Sequence, residues 1–84
     1  MYSIYVSIPI ISLSNNSIVI SNYNSLGTNP DIRVYGYDAI GKSKKLDGSG
    51  STYSINGTFR SVAAYHVIGL VYSKSDPILM KNEN

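Results

Sequence analysis

Residues 36–43, with the sequence GYDAIGKS, match the phosphate-binding pattern GxxxxGK[S/T]. In nucleotide-binding proteins this loop follows a strand and precedes a helix, whose N-terminus faces the phosphates. The residues after Lys42 read SKKLDGSG, and the two glycines in this short polar stretch disfavour a helix. We therefore interpret the match as a polar hairpin loop, and we expect Lys42→Ala to leave stability and binding nearly unchanged.

The other polar residues do not indicate a catalytic or a metal-binding site. His66 is the only histidine, and it lies in an apolar run. A catalytic histidine needs a nucleophile and an orienting acid, yet Asp38, Asp47 and Asp76 all fall in predicted loops. Cysteine is absent, which excludes disulfides and zinc sites built from cysteine and histidine. We expect a protein that is not an enzyme, with no metal site and no cofactor.

Tyrosine is the most unusual feature of the composition, since the chain has eight tyrosines, one phenylalanine and no tryptophan. Tyr35 and Tyr37 alternate with apolar residues in a predicted strand, and Arg33 lies on their side of it. Tyrosine is enriched at binding surfaces because its ring is large, rigid and polar at one end. Packing against a second sheet would explain the same tyrosines equally well. The candidate binding residues are Arg33, Tyr35, Tyr37, Tyr53 and Tyr5.

Three kinds of partner are compatible with these residues. The first is a protein, plausibly including another copy of the chain, so that the domain acts as a self-assembling unit or as a small inhibitor or adaptor. The second is a carbohydrate, with tyrosine rings stacking on sugars and polar loops at residues 22–31 and 47–51 bonding hydroxyl groups. The third is single-stranded nucleic acid. The net charge of +2 is small for that role, so nucleic acid ranks last.

The elements that must position these residues are short β-strands. Apolar and polar residues alternate, and turn-forming residues recur every few positions. We predict one all-β domain over residues 1–84, a small antiparallel β-sandwich or barrel of six to eight short strands, with a frayed tail at residues 81–84. The predicted strands are residues 2–13 with a bulge near Pro9, residues 17–23, Asp31–Tyr37, residues 51–55, residues 59–65, residues 67–72 and a short edge strand at residues 78–80.

Three of these predictions depend on local signals. Ser14-Asn15-Asn16, between two β-rich runs, indicates a hairpin turn. Asn56-Gly57 is the strongest hairpin dipeptide in the chain, so we place a tight hairpin tip there. Residues 61–73 are long enough for a helix, but their β-branched and aromatic residues favour two strands with a bend at His66.

The first predicted strand bears on self-association and on location. No charged side chain precedes Asp31, and only Pro9 protects this strand from pairing with another chain. We expect residues 78–80 or another protomer to cover it, and we favour another protomer. The N-terminal residues lack the features of a signal peptide, and no apolar run is long enough to span a membrane. We therefore expect no membrane association, with the cytoplasm favoured.

Overall fold

The computed structural model describes residues 7–80 of the chain. These residues form a small all-β sandwich of two antiparallel sheets, as predicted. The described part of the chain has nine strands rather than six to eight, because short strands also form at residues 43–45 and 48–49, which were not among those predicted. A short 3₁₀ turn, Tyr23–Ser25, follows the second strand. The strands are β1 (Ile11–Ser14), β2 (Ser17–Ile20), β3 (Asp31–Tyr37), β4 (Ser43–Lys45), β5 (Gly48–Ser49), β6 (Thr52–Ser54), β7 (Ser61–Ile68), β8 (Val71–Lys74) and β9 (Ile78–Leu79).

The chain alternates between the two sheets. The first sheet has the strand order β1-β2-β6-β5. The second sheet has the order β4-β3-β7-β8, and β9 pairs with the other end of β7 beside β8. Strands β3 and β7 form the centre of the second sheet and pair over seven residues of each strand, from Asp31 opposite Val67 to Tyr37 opposite Ser61. The candidate binding residues Arg33, Tyr35 and Tyr37 lie on this central pair.

The core lies between the sheets and is small. Its largest fully buried side chains are Ile18, Ile20, Val34, Val62 and Pro9. Phe59 packs directly on the backbone of Gly36, because a β-carbon placed on Gly36 would lie 2.7 Å from the phenylalanine ring. Phe59 therefore fits against β3 only because position 36 carries no side chain.

Tight turns join neighbouring strands at several places that the sequence predicted. Asn15 has a φ of 48° in the turn between β1 and β2, a conformation that asparagine tolerates. Gly41 lies in the connection between β3 and β4, and β9 forms where a short edge strand was expected.

Two local predictions are wrong. Asn56-Gly57 does not form a hairpin tip, because β6 belongs to the first sheet and β7 to the second, and the dipeptide lies in the connection between them. Gly57 still has a positive φ of 134°. The region around His66 is β-structure rather than helix, but β7 continues through His66 without a bend. The chain instead reverses at Gly69-Leu70, where Gly69 has a φ of 57°.

The alternation of the first predicted strand places Ile8 and Ile10 together on its apolar face, with Pro9 on the other face, but residues 8–10 have the opposite phase. Ile8 and Ile10 are 56% and 60% exposed, whereas Pro9 is buried. The Asn22 side chain holds this segment in place. It accepts a hydrogen bond from the Ile10 amide (2.8 Å) and donates one to the Ile8 carbonyl (3.0 Å). The predicted strand therefore begins only at Ile11 within the described residues.

Several predictions fall outside the part of the chain that the structure describes. These are the strand assignment of residues 2–6, the placement of Tyr5 and the frayed tail at residues 81–84. Within residues 7–80, no helix has the length and apolar character needed to cross a membrane.

Candidate functional site

The outward face of the second sheet carries the residues that the sequence singled out. In β3, Val34 and Gly36 are buried against the core, so the alternating residues Arg33, Tyr35 and Tyr37 point away from it. The other sheet packs on the opposite side, and these tyrosines are therefore not part of the core between the sheets. The sequence alone left these two placements open.

Strands β7 and β8 add two further tyrosines to this face. Tyr65 lies opposite Arg33 and next to Ala63 on the outward side of β7, and Tyr72 of β8 lies opposite Val67. Ala63 is 0% exposed although it points away from the core, and its register partner is Tyr35. An alanine on an outward face is covered only when larger neighbours close over it. We call this surface the tyrosine face, defined by Tyr35, Tyr37, Tyr65 and Tyr72.

Direct contacts fix three of the four rings. The hydroxyl groups of Tyr37 and Tyr65 are hydrogen-bonded at 2.8 Å. The rings of Tyr35 and Tyr65 meet edge to face, with centroids 5.5 Å apart and planes at 86°. Burial, and then the hydrogen bond to Tyr65, raise the pKa of Tyr37 to about 12. Tyr72 differs from the others because it is 61% exposed.

A groove of about 280 Å³ runs between these side chains, and we call it the tyrosine groove. Arg33 lies along it and forms a two-pronged ion pair with Asp31, with Nε–Oδ1 and Nη2–Oδ2 distances of 3.2 and 3.0 Å. The hydrogen bond to Asp31 and the attraction of its charge raise the pKa of Arg33, so the guanidinium stays charged. The groove is lined by Arg33, Tyr35, Tyr37, Ser43, Tyr65 and Tyr72.

The structure brings together three of the five predicted binding residues. Tyr53 is remote from the tyrosine face, because it is buried in the core opposite Ile18 in the first sheet. Its pKa is raised, mainly by burial. Sequence reasoning missed Tyr65 and Tyr72. Their alternation within β7 and β8 was readable, but no local signal indicated that β7 pairs with β3.

The other candidates for chemistry do not assemble into a reactive site. His66 points toward the core, and its Nδ1 lies 2.9 Å from the Ser7 carbonyl oxygen. The phosphate-binding pattern forms the β3–β4 hairpin, with Lys42 leading into a strand. Asp38 caps this hairpin by accepting hydrogen bonds from the amides of Ile40 (3.0 Å) and Lys42 (2.9 Å). Among residues 7–80, no group of three or more histidine or acidic side chains is arranged to hold a metal ion.

The tyrosine groove offers groups suited to non-covalent contacts. Its chemistry consists of rigid aromatic surface, hydroxyl groups and a charged guanidinium. Comparison of the chain with protein-family models, with curated proteins and with solved structures finds no match.

Proposed function

We propose that this domain is a non-catalytic protein-binding module that recognises its partner through the tyrosine face. One observation carries the proposal: four tyrosines and an arginine line a single groove on the outward side of the central strand pair. Tyrosine and arginine dominate the binding energy of protein interfaces, because each combines a large contact area with polar groups.

The rigidity of the face supports a role in binding. Ordering a side chain on association costs about 0.5–1.5 kcal/mol. Tyr35, Tyr37 and Tyr65 are already ordered by ring packing and by a hydrogen bond before any partner arrives. A partner that docks on them therefore loses little free energy to side-chain ordering.

The same proposal includes a second copy of the chain as a partner, at a different surface. Within residues 7–80, strand β1 is an edge of the first sheet and pairs only with β2. Strand β9 approaches β1 but pairs with β7, and a groove of about 270 Å³ remains between residues 8–11 and 76–78. Edge strands are usually protected by charge, and β1 carries none. Because a two-fold dimer places identical surfaces together, an uncharged edge accepts a copy of itself without repulsion.

A carbohydrate is the second candidate partner. The open groove presents tyrosine hydroxyls and Ser43 beside the exposed ring of Tyr72, which are groups that bond and stack on sugars. The ring packing within the cluster favours protein, since Tyr35 and Tyr65 contact each other and leave less ring surface for a sugar.

Selection from a random peptide library displayed on phage, run beside a glycan array, tests the proposal. We expect the wild-type domain to enrich a family of related peptides and to leave the glycan array empty. Tyr72→Ala should abolish the enrichment, because Tyr72 is the most exposed of the four rings. Tyr23→Ala is the control for loss of a tyrosine elsewhere, and both variants are checked for a cooperative melt.

Selective retention on glycans that is lost in Tyr72→Ala would show that the partner is a carbohydrate rather than a protein. Enrichment of no peptide would reject the proposal.

A further inference from the structure

A second depression adjoins the tyrosine groove on the same face of the sheet. It has a volume of about 330 Å³ and shares Tyr37 with the groove. Three charged residues line it, namely Asp38, Arg60 and Lys74. We call it the basic depression. The outward side of the second sheet thus combines an aromatic compartment with a charged one.

The acidic groups on this face are already engaged. Asp31 holds Arg33, and Asp38 accepts two backbone amides of its own hairpin. The Arg33–Asp31 contact is the only ion pair among residues 7–80. Lys74 and Arg60 in the depression, and Lys45 opposite Tyr35 on β4, therefore make no ion pair within the described chain. Within the described residues, the cations of this face outnumber its carboxylates, with Arg33, Lys45, Arg60 and Lys74 against Asp31 and Asp38.

The two compartments are close enough for one extended peptide to contact both. Lys74 lies opposite Tyr65 in the sheet, so a cation flanks a ring of the tyrosine groove. Alternate side chains of an extended peptide point to the same side at intervals of roughly 6.6–6.8 Å. Tyr35 and Tyr37 are spaced in the same way along β3. A peptide lying along β3 can therefore place a ring in the groove and a carboxylate in the depression.

The tyrosine geometry favours protein over nucleic acid or an acidic glycan. Single-stranded nucleic acid binds by stacking successive bases on exposed aromatic faces. Here one hydroxyl pair and one edge-to-face contact join Tyr35, Tyr37 and Tyr65 to each other. Only Tyr72 among the four is more than half exposed. The cluster presents ring edges and hydroxyl groups, which suit the irregular surface of a folded or extended polypeptide.

From this combination we infer that the partner of the tyrosine face is an acidic protein segment, which places an apolar or aromatic side chain in the tyrosine groove and carboxylates beside Arg60 and Lys74. The inference rests on the proposed function and adds the chemistry of the partner. It also implies that the tyrosine face repels a copy of itself, because the same positive surplus would lie on both sides of such a contact.

The composition of the selected peptides tests the inference. Peptides enriched on the wild type should carry a net negative charge and an apolar or aromatic residue near their acids. The double variant Arg60→Gln with Lys74→Gln should weaken binding of these peptides roughly fivefold, which corresponds to about 1 kcal/mol for the two exposed charge pairs together. Added salt should weaken wild-type binding and have less effect on the double variant.

The matched control is Lys42→Gln with Lys44→Gln, which removes the same charge from residues that line neither compartment. This control should keep nearly all of the affinity. Equal loss in the two double variants would show a non-specific charge effect and overturn the inference. Enriched peptides that are neutral or basic would also overturn it, and would leave the proposed function standing. Tighter binding to oligothymidylate or heparin than to the peptides, lost in Arg60→Gln with Lys74→Gln, would assign the face to nucleic acid or an acidic glycan instead.

Discussion

Tyr37 connects the groove, the basic depression and the neighbouring ring of Tyr65. Its hydroxyl is hydrogen-bonded to Tyr65, and it lines both compartments of the face. Burial opposes the negative charge of a phenolate, and the hydrogen bond favours the neutral form. The ionisation of this one residue therefore reports on whether the cluster is assembled.

The pKa of Tyr37 is raised from 10.0 to about 12 in the folded protein. A raised pKa stabilises the folded state at every pH below the unfolded value, and this contribution is lost as the pH rises through the folded value. The melting temperature should therefore fall between about pH 10 and pH 12. We expect phenolate absorbance to show a last step near pH 12 that disappears in Tyr37→Phe. Tyr72→Phe should keep that step, and loss of the step in Tyr72→Phe alone would contradict the assignment.

Residue alternation within one strand was readable from sequence, and contacts between strands were not. The period of two correctly placed Arg33, Tyr35 and Tyr37 on one side of β3. The same period could not show that Tyr53 faces the core, because that depends on which side of the first sheet is covered. Tyr65 was not predicted, because it lies beside β3 only through the pairing of β3 with β7, which are distant in sequence.

At the level of elements, the contact between Gly36 and Phe59 packs the connection between β6 and β7 against β3. A β-carbon on Gly36 would lie 2.7–2.8 Å from carbon atoms of the Phe59 ring, closer than packed carbon atoms tolerate. The contact lies directly beneath β3, which carries Tyr35 and Tyr37 on its other side. The position of the tyrosine face therefore depends on a residue of the core.

Gly36→Ala should destabilise the domain. Overpacking of this kind costs about 1–3 kcal/mol, whereas alanine lowers the entropy of the unfolded chain and returns about 0.4–1 kcal/mol. We expect a net loss of roughly 1–2 kcal/mol in urea unfolding. In a Phe59→Leu background the same substitution should cost clearly less, because the smaller side chain makes room. An equal cost in both backgrounds would show that the glycine is required for another reason.

Turn signals predicted where the chain bends, but not which strands a bend joins. Asn15-Asn16 was correctly predicted to join paired neighbours, and Asn56-Gly57, the stronger signal, connects different sheets. Both glycine and asparagine report local backbone freedom. Whether a turn joins paired strands or connects the two sheets depends on where the apolar faces of the following strands are buried. A dipeptide carries no information about that.

At the scale of the whole molecule, charge is distributed unevenly between the surfaces available for association. Within residues 7–80, the cations beside the tyrosine groove make no ion pair, whereas β1 and residues 8–10 have no charge and expose Ile8 and Ile10. A chain of this length has a small core, and burial of an edge between two copies would add to it. We therefore expect self-association at β1 and binding of other proteins at the tyrosine face.

Sedimentation at micromolar concentration tests this division. We expect the wild type to sediment above its monomer mass of 9.2 kDa. Ser12→Lys introduces a charge into the exposed edge strand β1 and should give a monomer. Ser49→Lys adds the same charge to β5, the opposite edge of the same sheet, and should not change the mass. A wild-type monomer under these conditions would refute self-association, and a monomer produced by Tyr35→Glu but not by Ser12→Lys would move the interface to the tyrosine face.

The alternation of the chain between sheets also affects the protein during its synthesis. Strand β3 (Asp31–Tyr37) emerges from the ribosome before its central partner β7 (Ser61–Ile68) has been made. With about 5–20 residues added each second, β3 waits on the order of seconds for this partner. During that interval its tyrosines and its buried face are both accessible. The strand that carries Tyr35 and Tyr37 is therefore accessible to chaperones until β7 has been made.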